Sequence, residues 1–207
     1  MKTSFHPFIG FGLILFGLVV AGCAGKSAPT QFYMLGPVMS DEVERHPANV
    51  TSTVYITLDT VEIPEYLNRP QIVTHVDRAE YQIDEFHRWM EPLQDNLTRV
   101  IANRLSVLLN PKGIDILYTA RPVKTDYTIV VQILRMEGKL GQGMFLDARW
   151  SFFDQQNETP VVTKRFVHTR EFTSADTYQG LLQAQNRSIE SLCRAMADGI
   201  DQIVVKR

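Results

Sequence analysis

The chain has 207 residues, a formal net charge of -2, two cysteines and a hydrophobic fraction of 44%. Near-neutral charge with no basic run excludes an electrostatic pull toward nucleic acid. Two cysteines cannot make a disulfide framework. Setting aside the first 22 residues leaves about 185, enough for one domain with a proper core.

The N-terminus carries one charged residue, Lys2, before an apolar run from Phe8 to Ala21. A helix needs roughly 20 apolar residues to span a bilayer, so this run is short for a membrane span. A positive start, an apolar centre and small residues at its end have the layout of a secretory signal. Val20-Ala21-Gly22-Cys23 resembles the lipobox of bacterial lipoproteins. In those precursors the chain is cut before the Cys, whose sulfur takes a diacylglycerol and whose new amino group is acylated. The resemblance makes 1–22 a signal peptide and Cys23 the acylation site. An ordinary secretory signal with a chance Cys, or an uncleaved membrane anchor, would fit the same residues. Ala24 stands where lipoproteins kept in the inner membrane commonly carry Asp, which favours the outer membrane of a Gram-negative cell.

Residues 23–31 form an acylated N-terminus and a polar, Pro-containing tether, and 32–207 form the periplasmic domain. Phe32-Tyr33-Met34-Leu35 predicts a first strand, ended by Gly36-Pro37. Met39 to Asn49 is charged and aperiodic, a loop. Val54 to Ile63 alternates with β-branched residues and predicts a strand. Pro64 to Pro70 breaks it, and Gln71–Val76 and Tyr81–Trp89 follow around a turn at Asp77–Glu80. These pieces suggest one meander of short strands.

Pro92 suits the first turn of a helix. Leu93, Leu97, Val100, Ile101, Leu105, Leu108 and Leu109 then recur at helical spacing, with Asp95, Arg99, Asn103 and Arg104 on the other side. Asn110-Pro111-Lys112-Gly113 stops the helix. Tyr127 to Met136 is apolar at both parities and predicts a central strand covered on both faces. Gly138 to Gly143 is a turn, and Phe145 to Phe153 places Leu146, Ala148, Trp150 and Phe152 on one face. Val161 to His168 completes an antiparallel meander of three strands.

Asp176 and Gln179 have capping-box spacing before a last helix. Its apolar stripe runs from Tyr178 through Leu181, Leu182, Ile189, Leu192, Cys193, Met196 and Ile200 to Ile203 and Val204. The predicted fold is α+β: one domain, a mostly antiparallel or mixed sheet covered by two long amphipathic helices.

Chemistry is sparse. His75, His87 and His168 fall in separate strands without a metal-binding spacing. No Gly-x-Ser-x-Gly elbow exists, and Cys193 reads as a small core residue. Gly138-Lys139-Leu140-Gly141-Gln142-Gly143 departs from the phosphate-loop pattern and lies between strands, so it reads as a hairpin tip. The Asn-x-Thr triplets at Asn49, Asn96 and Asn157 read as chance, Asn96 being inside a helix. Glu85-Phe86-His87-Arg88-Trp89 joins an acid, a base, a cation and two aromatics. It reads as a polar-faced strand, with Phe86, His87, Arg88 and Trp89 as candidate partner contacts, because Trp and Arg are enriched at binding hot spots.

Val61 to Val73 (Val-Glu-Ile-Pro-Glu-Tyr-Leu-Asn-Arg-Pro-Gln-Ile-Val), followed by Glu85-Phe86-His87-Arg88-Trp89-Met90-Glu91-Pro92-Leu93, resembles the PqiC family. Phe32 to Leu35, Tyr127 to Leu140 and Ala148-Arg149-Trp150 extend the likeness across nearly the whole mature chain. The resemblance implies a non-enzymatic outer-membrane lipoprotein, without a cofactor beyond the lipid on Cys23. It implies service beside a PqiB-like transporter built of MCE rings, and self-assembly into a ring. A carrier of lipid or amphiphile, with ligand held between helices and sheet, is the alternative. A large apolar cavity would favour the carrier, and a close-packed interior the docking subunit.

Overall fold

The computed structural model describes residues 28–36, 54–77, 79–118, 123–155, 159–171 and 177–204. The signal segment, Cys23, the 39–49 loop, Asn49, Asn157 and Asp176 lie outside the described residues. Gln31–Arg207 forms one compact unit, distinct from Met1–Thr30.

The strands are β1 (Gln31–Tyr33), β2 (Val54–Leu58), β3 (Gln71–Asp77), β4 (Glu80–Trp89), β5 (Ile114–Leu117), β6 (Tyr127–Lys139), β7 (Gly143–Asp154) and β8 (Pro160–Glu171). The helices are α1 (Leu93–Leu109) and α2 (Tyr178–Val204). A five-stranded sheet has the order β5-β2-β6-β7-β8, and a three-stranded sheet the order β1-β4-β3. The larger sheet is mixed: β2 runs parallel to β5 and β6, while β6, β7 and β8 are antiparallel. The expected α+β architecture holds.

The single meander expected over 54–89 does not form. β2 enters the large sheet, and only β3 and β4 pair as a hairpin, with β1 parallel to β4 on its other side. The strand expected to reach Ile63 stops at Leu58. The Asp59 carboxylate accepts the Thr60 N–H (2.9 Å), which draws the backbone off the ladder before Glu62 rejoins β6. A 3-10 turn at Glu65–Leu67 then carries the chain to the small sheet. β5 is a strand that the pattern does not announce. It has four residues, and only Ile114 and Ile116 turn inward.

β6 lies third of five, as a central strand should, but its two faces differ. Tyr127, Ile129, Val131 and Ile133 are buried while their alternates are half-buried. A bulge between Ile133 and Arg135 then changes the parity, burying Met136, Glu137 and Gly138. On β7, Leu146, Ala148, Trp150 and Phe152 are buried together as predicted. α2 packs on β6, β7 and β8, and α1 packs on β5 and on α2. The interface is filled by Leu97, Ile101, Leu105, Trp150, Phe152 and Leu192.

Helix ends follow local chemistry. Pro92 sits in extended geometry as the cap of α1, one residue before the helical turn it was expected to open. At α2 the Thr177 hydroxyl accepts the Gly180 N–H (3.1 Å), as an N-cap does, where the Asp176 pattern pointed one residue earlier. Gly113, at φ 77°, ends the turn after α1, a conformation glycine takes without steric cost.

Gly138 belongs to β6 and not to the turn, which spans Leu140–Gln142. A Cβ at 138 would stand 2.0 Å from Leu181 Cδ1 on α2, so glycine here sets how closely helix and sheet approach. Gly138→Ala is expected to lower stability by about 1–3 kcal/mol, the usual cost of overpacking. Combining it with Leu181→Ala should cost less than the two single changes added, because the residues share one space. Urea unfolding of the four proteins measures this.

Candidate docking site

The segment singled out by sequence, Glu85 to Trp89, lies on β4 between β1 and β3. Between the pairs Val73–Ile83 and Gln71–Arg88, β3 advances two residues and β4 five. β4 therefore carries a wide bulge, and the Asp84 carboxylate holds it by accepting the Phe86 N–H (2.8 Å). A bulge re-aims side chains, and this one brings Asp84 and His87 to the same neighbour, Tyr178 at the start of α2. The His87 and Tyr178 rings stack at 3.8 Å between centroids, and the Tyr178 hydroxyl donates to Asp84 (3.1 Å). Tyr33 on β1 lies beside both rings, its centroid 5.5 Å from His87 and 6.0 Å from Tyr178. The Tyr33 hydroxyl donates to Gln31 Oε1 (2.6 Å) and meets His87 Nδ1 at 2.7 Å.

Burial, followed by the Asp84 charge, pushes Tyr178 up to about 12 and raises Tyr33 in the same direction. Both phenols stay protonated at neutral pH and serve as donors. Phe86 is exposed, His87 is half-buried in its stack, and Arg88 pairs with Glu85 (2.8 Å). Trp89 is only 6% exposed and belongs to the core, so it leaves the set of contact candidates.

A second polar group ties the two sheets together. Glu137 on β6 accepts the Tyr81 hydroxyl (2.8 Å) from β4 and two bonds from Arg135 (3.0 and 2.6 Å). Burial opposes the Glu137 charge, but those bonds outweigh it and hold the carboxyl below the ordinary range. The bond to Glu137, then burial, pushes Tyr81 up to about 12. On the outer side of β7, Asp147 is held low by two bonds from Arg165 (2.9 and 2.6 Å).

The chain leaving β1 is latched by α1. Asn96 Oδ1 accepts the Leu35 N–H (2.8 Å), and its Nδ2 donates to the Leu35 carbonyl (2.9 Å), all of it buried. Arg104 reaches the Gly36 carbonyl (3.0 Å) and the Asn186 carbonyl on α2 (2.6 Å). Sequence placed Arg104 on the solvent side of α1, yet it bridges the two helices and the N-terminal segment. Asn96 had a visible signal: it interrupts the stripe Leu93, Leu97, Val100 at a position that should be apolar. Tyr33, Asp84 and Tyr178 had none, since they stand far apart in the chain and meet only in the folded domain.

These groups form struts between elements, and a hydrolytic centre has different parts. Cys193 is buried in α2, and burial raises its thiol to about 12, as befits a core residue. Among the described residues no group of three or more metal-binding side chains occurs, and no helix is long and apolar enough to cross a membrane.

The chain belongs to the family described as ABC-type transport auxiliary lipoprotein component, which matches residues 33–197. That is a family of transport accessories and not of enzymes, and an accessory implies partners. No curated protein matches the chain. A crystal structure of an uncharacterized protein is similar at 17% identity and TM-score 0.68, covering 84% of this chain and 99% of its own. A DUF330-family protein from Xanthomonas campestris is similar at 15% identity and TM-score 0.59, covering 73% of this chain and 85% of its own. Both show the fold alone.

Asn96→Ala leaves a buried N–H and a buried carbonyl of Leu35 without partners. At roughly 1–3 kcal/mol for each such group, the variant is expected to lose about 2–6 kcal/mol. Hydrogen exchange at the Leu35 amide should accelerate more than exchange in β7.

Glu137 and Asp147 have folded-state pKa values below their unfolded ones. Their contribution is complete above the unfolded carboxylate pKa, roughly 4, and is lost as pH falls through the lower folded values. Glu137→Gln and Asp147→Asn should each be less stable than the parent at neutral pH, and each should flatten the acid limb of a urea-midpoint titration.

Proposed function

We propose that this chain is a lipid-anchored docking subunit of an MCE-type intermembrane lipid transport system, held at the periplasmic face of the outer membrane. The carrying observation is the order of parts. A lipobox ending at Cys23 precedes an eight-residue tether, and a transport-auxiliary lipoprotein domain begins at Tyr33. Cys23 takes the diacylglycerol on sulfur and an acyl chain on its amino group. Several chains hold where one anchors only marginally, each buried methylene adding about 0.8 kcal/mol. Ala24 after the lipidated Cys, in place of Asp, supports sorting to the outer membrane.

The partner is a PqiB-like protein of MCE rings, and copies of this chain assemble as a ring to receive it. An edge strand supports that reading: β8 ends the five-stranded sheet, and among the described residues no strand pairs with its outer side. Unpaired edge groups invite strand addition. The filled interface between helices and sheet favours docking over carriage of a lipid.

Recovery of an MCE protein with this chain from detergent-solubilised envelopes is the expected result. Failure to recover one, where other envelope complexes survive, overturns the reading. Cys23→Ser should give a soluble or uncleaved inner-membrane form with the fold intact. Continued fractionation of that variant with the outer membrane would refute acylation at Cys23.

A further inference from the structure

We infer that the outer face of the β1–β4 pair is a membrane-seating surface, which inserts apolar side chains at the boundary between lipid headgroups and acyl chains. Phe32 is 55% exposed, Met34 48%, Phe86 42% and Met90 63%. Phe32 stands beside Arg88 in the parallel register of β1 and β4. Exposure then alternates along both segments: Met34 and Met90 face out while Leu35 and Trp89 are buried. Exposed apolar residues scattered singly need no account, but four on two paired segments form a patch.

Chain length chooses the occupant. The inference rests on acylation at Cys23, and eight residues separate Cys23 from Phe32. At about 3.3–3.6 Å per residue, the tether holds the patch within roughly 30 Å of the leaflet. So short a link gives a high effective concentration of membrane, and even weak insertion is then populated. The side chains are suited to insertion, because phenyl rings and flexible thioethers enter the acyl boundary without a polar group to desolvate. The neighbouring charges balance, since Arg88 pairs with Glu85 and Arg99 with Glu91. The attraction is therefore apolar, and seating should change little with salt.

Phe86 and Arg88 then serve the membrane side of the domain, leaving the transporter to another surface. Removing the patch would leave the protein attached through its lipid but free to tumble on its tether.

The test uses the full-length acylated protein in vesicles of phosphatidylethanolamine and phosphatidylglycerol. Met90→Cys carries a nitroxide, and Val107→Cys, exposed on α1, is the control. Cys23 is blocked by lipid and Cys193 is buried, so neither takes label. Seating predicts several-fold higher accessibility to oxygen relative to a nickel chelate at position 90 than at 107, at low and high salt alike. Equal, aqueous values at both positions overturn the inference while the protein remains on vesicles. Shielding from both probes with dipolar broadening between labels would mean that a second copy covers the patch, and would also overturn it. A protein that fails to stay on vesicles refutes acylation itself, and seating falls with it.

Discussion

The Asn96 side chain, bonded to both backbone groups of Leu35, is the constraint on which the N-terminal part of the domain depends. β1 has only three residues, paired in parallel with β4, and a strand that short has little stability of its own. Leu35 is fully buried, and its peptide groups would go unsatisfied in the core without a partner. Asn96 is suited to this because an amide both accepts and donates, so one side chain imitates the edge of a strand. Arg104 extends the latch from Gly36 to Asn186, so that β1, α1 and α2 are joined at one place.

The two sheets hold together through a different kind of contact. The large sheet has an apolar face under the helices, and burial alone accounts for its cohesion. The small sheet buries Ile72, Val73 and Trp89 in the same core as the large sheet, and polar contacts add to this: Tyr81 to Glu137, and the Tyr33, His87 and Tyr178 cluster. Directional bonds of this sort specify position more than they add stability, because the carboxylate surrenders water to make them. One face of the small sheet is buried in the core, and the other face of β1 and β4 is left exposed. Phe32 and Met90 stand on that face.

How much was legible follows from the range of each signal. On β7, Leu146, Ala148, Trp150 and Phe152 recur at every second position, and the α1 and α2 stripes repeat over several turns, so local pattern sufficed. The assignment of β2 to the large sheet depends on β5 and β6, which come much later in the chain, and nothing near Val54 announces it. β5 is two inward isoleucines and is meaningful only beside β2. Trp89 illustrates the opposite failure. Aromatic character beside Arg88 suggested a contact surface, but strand parity, disturbed by the bulge, turned the indole inward. Arg104 misled because polarity was equated with solvent, whereas a guanidinium with three carbonyl-type acceptors is at home between two helices.

The same contrast bears on function. The groups with shifted pKa values are the ones that brace the fold or sit in its core. Tyr81, Tyr178 and Cys193 are all pushed up to about 12, and Glu137 and Asp147 are held down, so each group is fixed in its ordinary charge state at neutral pH. The bonds made by the tyrosines and carboxylates hold elements of the fold in place. For a transport-auxiliary lipoprotein, which implies a partner, such bonds keep the strands and helices that a partner would meet in fixed register.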